Sequence, residues 1–381
     1  MTRTPGRGSG RLRAAFLAGL AGVAACGAGP VPPEPAGAQE LLYVASQEDV
    51  TVAVIDMATR TLVHTVDLKE LGFSPTAKAH HTAVEPDGSH WYVSLIADGK
   101  VLRFDRENHL VGQLDFETPG MLGLDPTSNL LYVGRSMAAV NPPQRIGMID
   151  RERMTLEEVD VFVPRPHALA VDAVGGRFFT ASLGQNSAAY APLGEEEVDL
   201  LEFPGPVAGG AMEHMQHGEP MNHMLVQFAV SPDGRWMVGG GEMSGELLVF
   251  DLAAEQPAVV HRLGLGGKPW HPSFTRDGRF LWVPNLGANT VTVVDVATWQ
   301  VADVIRHAAL VEPHGSAVSP DGRTVFVSSR NSEGTYRPAD GSDRRPGTVV
   351  AIDATTHEVL TVIEVGRYAA GMSGVPGPAP R

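Results

Sequence analysis

From Glu40 onward, apolar and polar residues alternate with a period of two in short runs separated by turn residues, which is the pattern of half-buried strands. One unit recurs: a His- or Gly-led apolar segment, a turn of the Pro-Asp-Gly type, an aromatic-rich run, and a β-branched run ending in Asp. Segments 80–94 (HHTAVEPDGSHWYVS), 228–240 (FAVSPDGRWMVGG), 271–285 (HPSFTRDGRFLWVPN) and 314–329 (HGSAVSPDGRTVFVSS) show it best. Segments 121–134 (MLGLDPTSNLLYVG) and 167–182 (HALAVDAVGGRFFTAS) are degenerate copies, and the third runs follow at 101–105, 145–150, 246–251, 290–295 and 348–353. Asp-Gly between two such runs predicts a hairpin, because Gly supplies the positive φ that the turn requires. Each unit therefore predicts a meander of four antiparallel strands.

A four-strand unit repeating every 40 to 50 residues or so is the sequence signature of propeller blades, which bury their faces only by stacking on one another. Units begin near residues 78, 118, 165, 224, 267 and 312, while the chain enters mid-unit at 40–68 without a first strand. Residues 365–377 read as that missing strand. The expectation is an all-β fold over 40–376: a seven-bladed β-propeller of four-stranded antiparallel blades, its ring closed by pairing the C-terminal strand with the N-terminal one. With 43 Gly, 29 Pro and only 19% charged residues, the composition suits many short strands joined by tight turns. Segments 317–331 (AVSPDGRTVFVSSRN) and 348–366 (TVVAIDATTHEVLTVIEVG) resemble the YVTN-repeat, YncE-like family of bacterial propellers. That resemblance implies a fold and leaves function open, since such propellers serve as enzymes, cofactor holders and docking platforms.

In a propeller the first strand of each blade lines the axis, so a residue leading into it stands near one mouth. Five of the fourteen histidines hold that lead position: His80, His81, His167, His271 and His314. His80, His167 and His314 each stand four residues before a Val (Val84, Val171, Val318), whereas His81 and His271 share the next register; Met121 and Met372 hold comparable places elsewhere. One histidine before a strand is explained by a turn cap or a bond to a carbonyl. Five at one structural position point to a metal or a metal cofactor, because imidazole is the commonest metal ligand. His64, His109, His261, His307 and His357 in outer strands, and His90 in a turn, read as surface residues.

A second concentration of donors lies in the insertion 205–224, which carries His214, His217, His223, Met212, Met215, Met221 and Met224. Thioether and imidazole donors in one loop suit Cu(I) and Cu(II), while the plainer alternative is methionine packing on an irregular apolar surface. Loops 135–144 and 330–347 are expected at the same mouth. There Arg135, Arg165, Asn285, Arg330 and Asn331 would offer polar and cationic groups to an anionic ligand or cofactor. A His-ringed propeller also resembles the catalytic domain of nitrous oxide reductase, whose copper–sulfide centre uses channel histidines including an adjacent pair like His80-His81. The chain lacks that family's C-terminal copper domain with its paired cysteines. Cytochrome d1-type propellers, which seat a haem at the same mouth, are a further resemblance.

Three functions fit these residues: a copper- or cofactor-binding propeller, a copper- or haem-dependent oxidoreductase using the same site, and an interaction platform for an envelope redox or metal-handling protein. No nucleophile elbow, phosphate loop, HExxH or CxxC motif occurs. The net charge of −15 argues against nucleic acid as a partner, because phosphate binding relies on clustered Lys and Arg.

The N-terminus is basic as far as Arg13 and then apolar over 14–25, too short to span a bilayer as a helix. It ends in Val23-Ala24-Ala25-Cys26, with Cys26 the only cysteine. This resembles the bacterial lipobox, which implies a signal peptide over 1–25, a lipid anchor on Cys26, a Pro/Gly/Ala linker over 26–39 and a cell-envelope location facing the periplasm or exterior. Ordinary cleavage after Ala38 is the rival. A short tail, 377–381, completes the chain. On the lipobox reading, Cys26→Ser is expected to move the protein from the membrane to the soluble fraction after cell fractionation; equal retention of the variant refutes the anchor.

Overall fold

The structure, a computed structural model, describes residues 40–206, 222–254 and 256–375. The expected signal peptide, Cys26, the linker and the tail lie outside the described residues, as do Met212, His214, Met215, His217 and Met221 of the insertion. Within them the period-two alternation becomes seven four-stranded antiparallel sheets. Blade 1 combines 41–67 with 369–374; blades 2 to 7 run over 79–115, 119–160, 166–202, 225–264, 273–305 and 313–365.

The ring closes as the missing first strand implied. Ala369–Gly374 pairs with Leu41–Ser46, with Leu42 opposite Gly374, Tyr43 opposite Ser373 and Val44 opposite Met372. The two middle strands of this blade, Leu41–Ser46 and Thr51–Asp56, are buried throughout, whereas the outer strand Thr61–Asp67 is largely exposed. That gradient explains why the second run of each unit is the aromatic one: it faces a neighbouring blade on each side. Trp91, Tyr92, Tyr132, Phe178, Phe179, Trp282 and Phe326 are fully buried there, and burying each such side chain contributes about 1.5–3 kcal/mol. Between blades 1 and 2, Tyr43 stacks on Trp91 at 4.7 Å, and within blade 2 Trp91 stacks on Phe104 at 4.2 Å.

The turn motif works through its hydroxyl as well as its glycine. In blade 5 the Ser231 hydroxyl donates to Asp233 at 2.5 Å and accepts from the Trp236 N–H at 2.9 Å, while Gly234 sits at φ 70°. Thr275/Asp277 and Ser319/Asp321 repeat this arrangement in blades 6 and 7. Polar links then join one blade to the next: Glu85 of blade 2 accepts from the Tyr92 hydroxyl at 2.7 Å and pairs with the buried Arg151 of blade 3.

Removing residues 367–381 strips the inner strand from blade 1, uncovering Leu42 and Val44 and leaving an unpaired edge. The truncated chain is expected to lose more than the about 4–5 kcal/mol that marks an exceptional single substitution. Urea unfolding measures this, and a truncated chain as stable as the parent refutes the closure.

Candidate functional site

Residues adjacent in a regular strand point to opposite faces, so His80 and His81 should diverge. They do not, because each inner strand is bulged at its lead position. Pairing shifts register between Ala79 and Thr82, Pro119 and Leu122, Pro166 and Ala168, Leu225 and Gln227, and Pro313 and Ser316. In blade 6, Pro272 interrupts the strand and His271 lies between the Pro269–Asn285 bridge and Ser273–Phe274. Bulges re-aim side chains, and here they bring the two registers seen in the sequence onto one axis. Immediately before the inner strand of six blades stands a non-glycine residue with left-handed backbone: Lys78, Thr118, Arg165, Met224, Glu312 and Tyr368, at φ 50–61°. Such a backbone costs of order 1 kcal/mol per residue and persists here at six of the seven blades. Composition carries no sign of it, since none of the six is Gly or Asn.

The five lead histidines converge. Ring centres lie 6.3 Å apart for His80 and His167, 6.3 Å for His80 and His314, 5.9 Å for His81 and His271, and 4.4 Å for His271 and His314. All five are buried, and Nε2 of His80, His167 and His271 and both nitrogens of His314 have no hydrogen-bond partner. The Nδ1 atoms of His80, His81 and His167 are held. His167 Nδ1 donates to the Arg135 carbonyl at 2.7 Å, His80 Nδ1 lies 2.9 Å from the Gln47 carboxamide, and His81 Nδ1 accepts the Leu122 N–H at 3.3 Å. Burial, followed by mutual repulsion among the rings, holds His80, His271 and His314 well below the ordinary 6.5. Burial pushes His81 down to about 3, and pushes His167 down to about 4 against the opposing pull of the Arg135 carbonyl. The layer is therefore neutral at pH 7. Among the described residues, no three His, Cys, Asp or Glu side chains stand in the arrangement that holds one metal ion.

On the loop side the layer is roofed by Trp270, whose indole centre is 4.6 Å from His314 and 5.6 Å from His271. The Arg330 guanidinium lies over Trp270 at 4.2 Å and over Tyr368 at 4.9 Å. Trp270 packs with Leu183 and Val226, and Met137, Met224 and Leu286 lean on that cluster. Three residues here went unread in the sequence: Trp270, Gln47 and Met137. Gly371 is a fourth. A Cβ on it would stand 2.4 Å from His81 Cδ2 and 2.7 Å from the His80 carbonyl, so blade 1 leaves the space that the His81 ring occupies.

The remaining candidates are placed elsewhere or used internally. His223 is buried away from the layer, with Nδ1 2.9 Å from the Ser244 hydroxyl and Nε2 donating to the Pro204 carbonyl at 3.0 Å. Arg135 is buried against Phe116, with its guanidinium on Glu158 at 2.6 Å and on the Glu117 carbonyl at 2.7 Å. Arg165 reaches the Met137 carbonyl at 3.2 Å. Asn285 donates to Thr292 at 2.7 Å, and Asn331 fastens its own loop through Tyr336 and Pro346. Met121 is enclosed in the interface between blades 3 and 4, and Met372 borders the axial channel.

No family model matches the chain. Among solved structures, a functionally unknown protein from Desulfotomaculum acetoxidans DSM 771 is similar over 89% of this chain and 99% of its own, at 12% identity and a TM-score of 0.67. A dihydro-heme d1 dehydrogenase, NirN, solved in complex with DHE, is similar over 91% of this chain and 78% of its own, at 17% identity and a TM-score of 0.55. A d1-type propeller thus stands among the structural neighbours, as one sequence resemblance implied, and at these identities the likeness carries the fold.

The depressed imidazoles give a pH signature. Below the ordinary 6.5 the unfolded chain takes up protons that the folded layer refuses, so their contribution is complete above that pH. It is lost as pH falls toward about 4 at His167 and about 3 at His81. Each ring adds about 1.4 kcal/mol per pH unit to the slope. Unfolding free energies measured from pH 7 to 5 are expected to fall less steeply in His271→Phe than in the parent, by about one proton; identical slopes refute a neutral buried layer.

Proposed function

We propose that this protein is an envelope metal-binding propeller that holds one transition-metal ion on its axis through His80, His167, His271 and His314. The observation that carries the reading is the set of four buried imidazoles from four blades with unpaired nitrogens, each ring centre within 6.3 Å of at least one other. Leaving a buried polar atom unpaired costs about 1–3 kcal/mol, and a layer built only for stability would use apolar side chains instead. His167 is already oriented as a ligand, since its Nδ1–H is fixed by a backbone carbonyl and its Nε2 lone pair is free. At His80 the Gln47 carboxamide nitrogen stands 2.9 Å from Nδ1; turning that amide would put its oxygen there to accept Nδ1–H and leave Nε2 as the donor to an ion.

Two imidazoles bonded to one ion at about 2 Å, each ring centre about 1.2 Å behind its nitrogen, stand at most about 6.4 Å apart. The His80–His167, His80–His314 and His271–His314 ring-centre distances of 6.3, 6.3 and 4.4 Å fall within that reach. Closing them on one ion takes side-chain rotation, to which the near-perpendicular His80–His314 pair is suited. Neutral nitrogen donors favour copper, which heads the affinity order for such ligands, and the side chains of Met137 and Met224 pack on the Trp270 cluster that adjoins the layer. The Met/His insertion would serve delivery, and the Cys26 anchor would place the site in the envelope.

The likeness to a dihydro-heme d1 dehydrogenase supports a second reading, a haem-type macrocycle at this mouth. Against it, five imidazoles and the Trp270 indole, with ring centres 4.4–6.3 Å apart, occupy the axis where a flat macrocycle would lie.

Protein purified without an affinity tag is expected to take up about one copper per chain, matching one four-histidine set. His167→Ala combined with His314→Ala is expected to lose it. Because protons compete only near pH 4 at His167, uptake should persist well below pH 6.5. Elemental analysis across pH checks this; a metal-free protein that instead retains added haem overturns the copper reading in favour of the macrocycle.

A further inference from the structure

The histidine layer has a second side. Toward the hairpin face it opens into a channel of ≈ 390 Å³ bordered by His81 and His271, with Thr82, Gln227, Phe228, Ser316 and Met372 among its walls. No Asp, Glu, Lys or Arg stands among the described residues that line it. A second cavity, sharing Ser316, Met372, Ser373 and Gly374 with the first, continues beside it and has Arg276 in its wall, outside the channel that His81 and His271 border.

His81 differs from His167 in what its Nδ1 meets, a backbone N–H in place of a carbonyl. Its Nδ1 accepts from a backbone N–H, that of Leu122, and a backbone N–H can only donate. The neutral ring therefore carries its proton on Nε2. In that state His81 is a hydrogen-bond donor and not a ligand, and its ring borders the channel. His271, beside it at 5.9 Å between ring centres, has a free Nε2. One wall of the channel thus joins a fixed donor to the level where an ion would sit.

We propose that this channel binds a small uncharged molecule that accepts a hydrogen bond from His81 Nε2–H, entering from the hairpin face and not from the loop-covered mouth. The ion that this molecule meets rests on the metal reading above; the pocket and its donor do not. An anion would have to shed its water against uncharged walls in a protein of net charge −15. A small neutral acceptor, of the size and polarity of a diatomic or triatomic gas, meets neither penalty.

In the metal-free protein, nitrogen NMR of labelled histidine is expected to show one ring, lost in His81→Phe, with its proton on Nε2. Dissolved xenon is expected to exchange into the channel, and Ser373→Phe, at a half-buried wall position, to abolish that signal, with Ser373→Leu used if the larger residue prevents folding. In the copper(I)-loaded protein, carbon monoxide is expected to bind with a C–O stretch that rises in His81→Phe and with an on-rate about tenfold lower in Ser373→Phe. Azide is expected not to compete. An Nδ1–H tautomer at His81, xenon binding unchanged by Ser373 replacement, or displacement of carbon monoxide by azide overturns the proposal. Failure to take up any metal overturns the metal reading alone, and the nitrogen and xenon results then decide the channel.

Discussion

Each blade leaves one edge of its innermost strand without a strand to pair with, and that edge faces the buried axis. Backbone N–H and C=O groups there must find partners, because an unpaired one forfeits the hydrogen bonds that water made in the unfolded chain. The propeller meets this constraint with side chains that reach from one blade to the next. The Ser94 hydroxyl donates to the Gly120 carbonyl at 2.8 Å, Ser316 to His271 at 2.8 Å and Ser328 to Ala370 at 2.6 Å. Gln227 Oε1 accepts the Leu169 N–H at 3.1 Å. His81 and His167 belong to the same set of latches, which ties the candidate chemistry to the cohesion of the ring.

That double duty shapes the site. A histidine that latches an edge spends one nitrogen on the backbone and turns the other inward, so orientation and tautomer are decided by the neighbouring blade. The carbonyl that receives His167 fixes the opposite tautomer from the N–H that His81 receives. Two residues of the same type at the same structural position are therefore given different chemistry, one with a lone pair and one with a proton presented to the axis. Crowding the rings keeps them neutral, since each added charge would be repelled by its neighbours in a dry surrounding.

The layer also divides the axis into two unlike spaces. Toward the loops lie Trp270, Arg330, Tyr368 and the side chains of Met137 and Met224, a polarisable roof with the Arg330 guanidinium over Trp270 and Arg165 on the Met137 carbonyl. Toward the hairpins lies an uncharged channel. The left-handed residues from Lys78 to Tyr368 sit where the chain turns from the loop side into the inner strands, and a second set, Arg60, Asn108, Met154, Trp299 and His357, sits in the outer hairpins.

Much of this was legible before any coordinates. The blades, their number and the closing strand follow from alternation with a period of two, Asp-Gly turns and a repeat, all local signals that depend on neighbours a few residues apart. The five lead histidines were legible for the same reason, because position within a repeat is a local property. What each nitrogen does was not. Whether Arg135 faces a ligand or Glu158, and whether His223 is a donor for metal or a link between Ser244 and Pro204, depends on residues about twenty positions away in the chain. The bulge at His80 and His81 lies in the pairing of the first two strands of blade 2, and the space the His81 ring uses is left by Gly371 of blade 1. Sequence alone determined the ring and the positions of its histidines; tertiary structure decided which face of each imidazole is free, because that is set by hydrogen bonds crossing from one blade to the next.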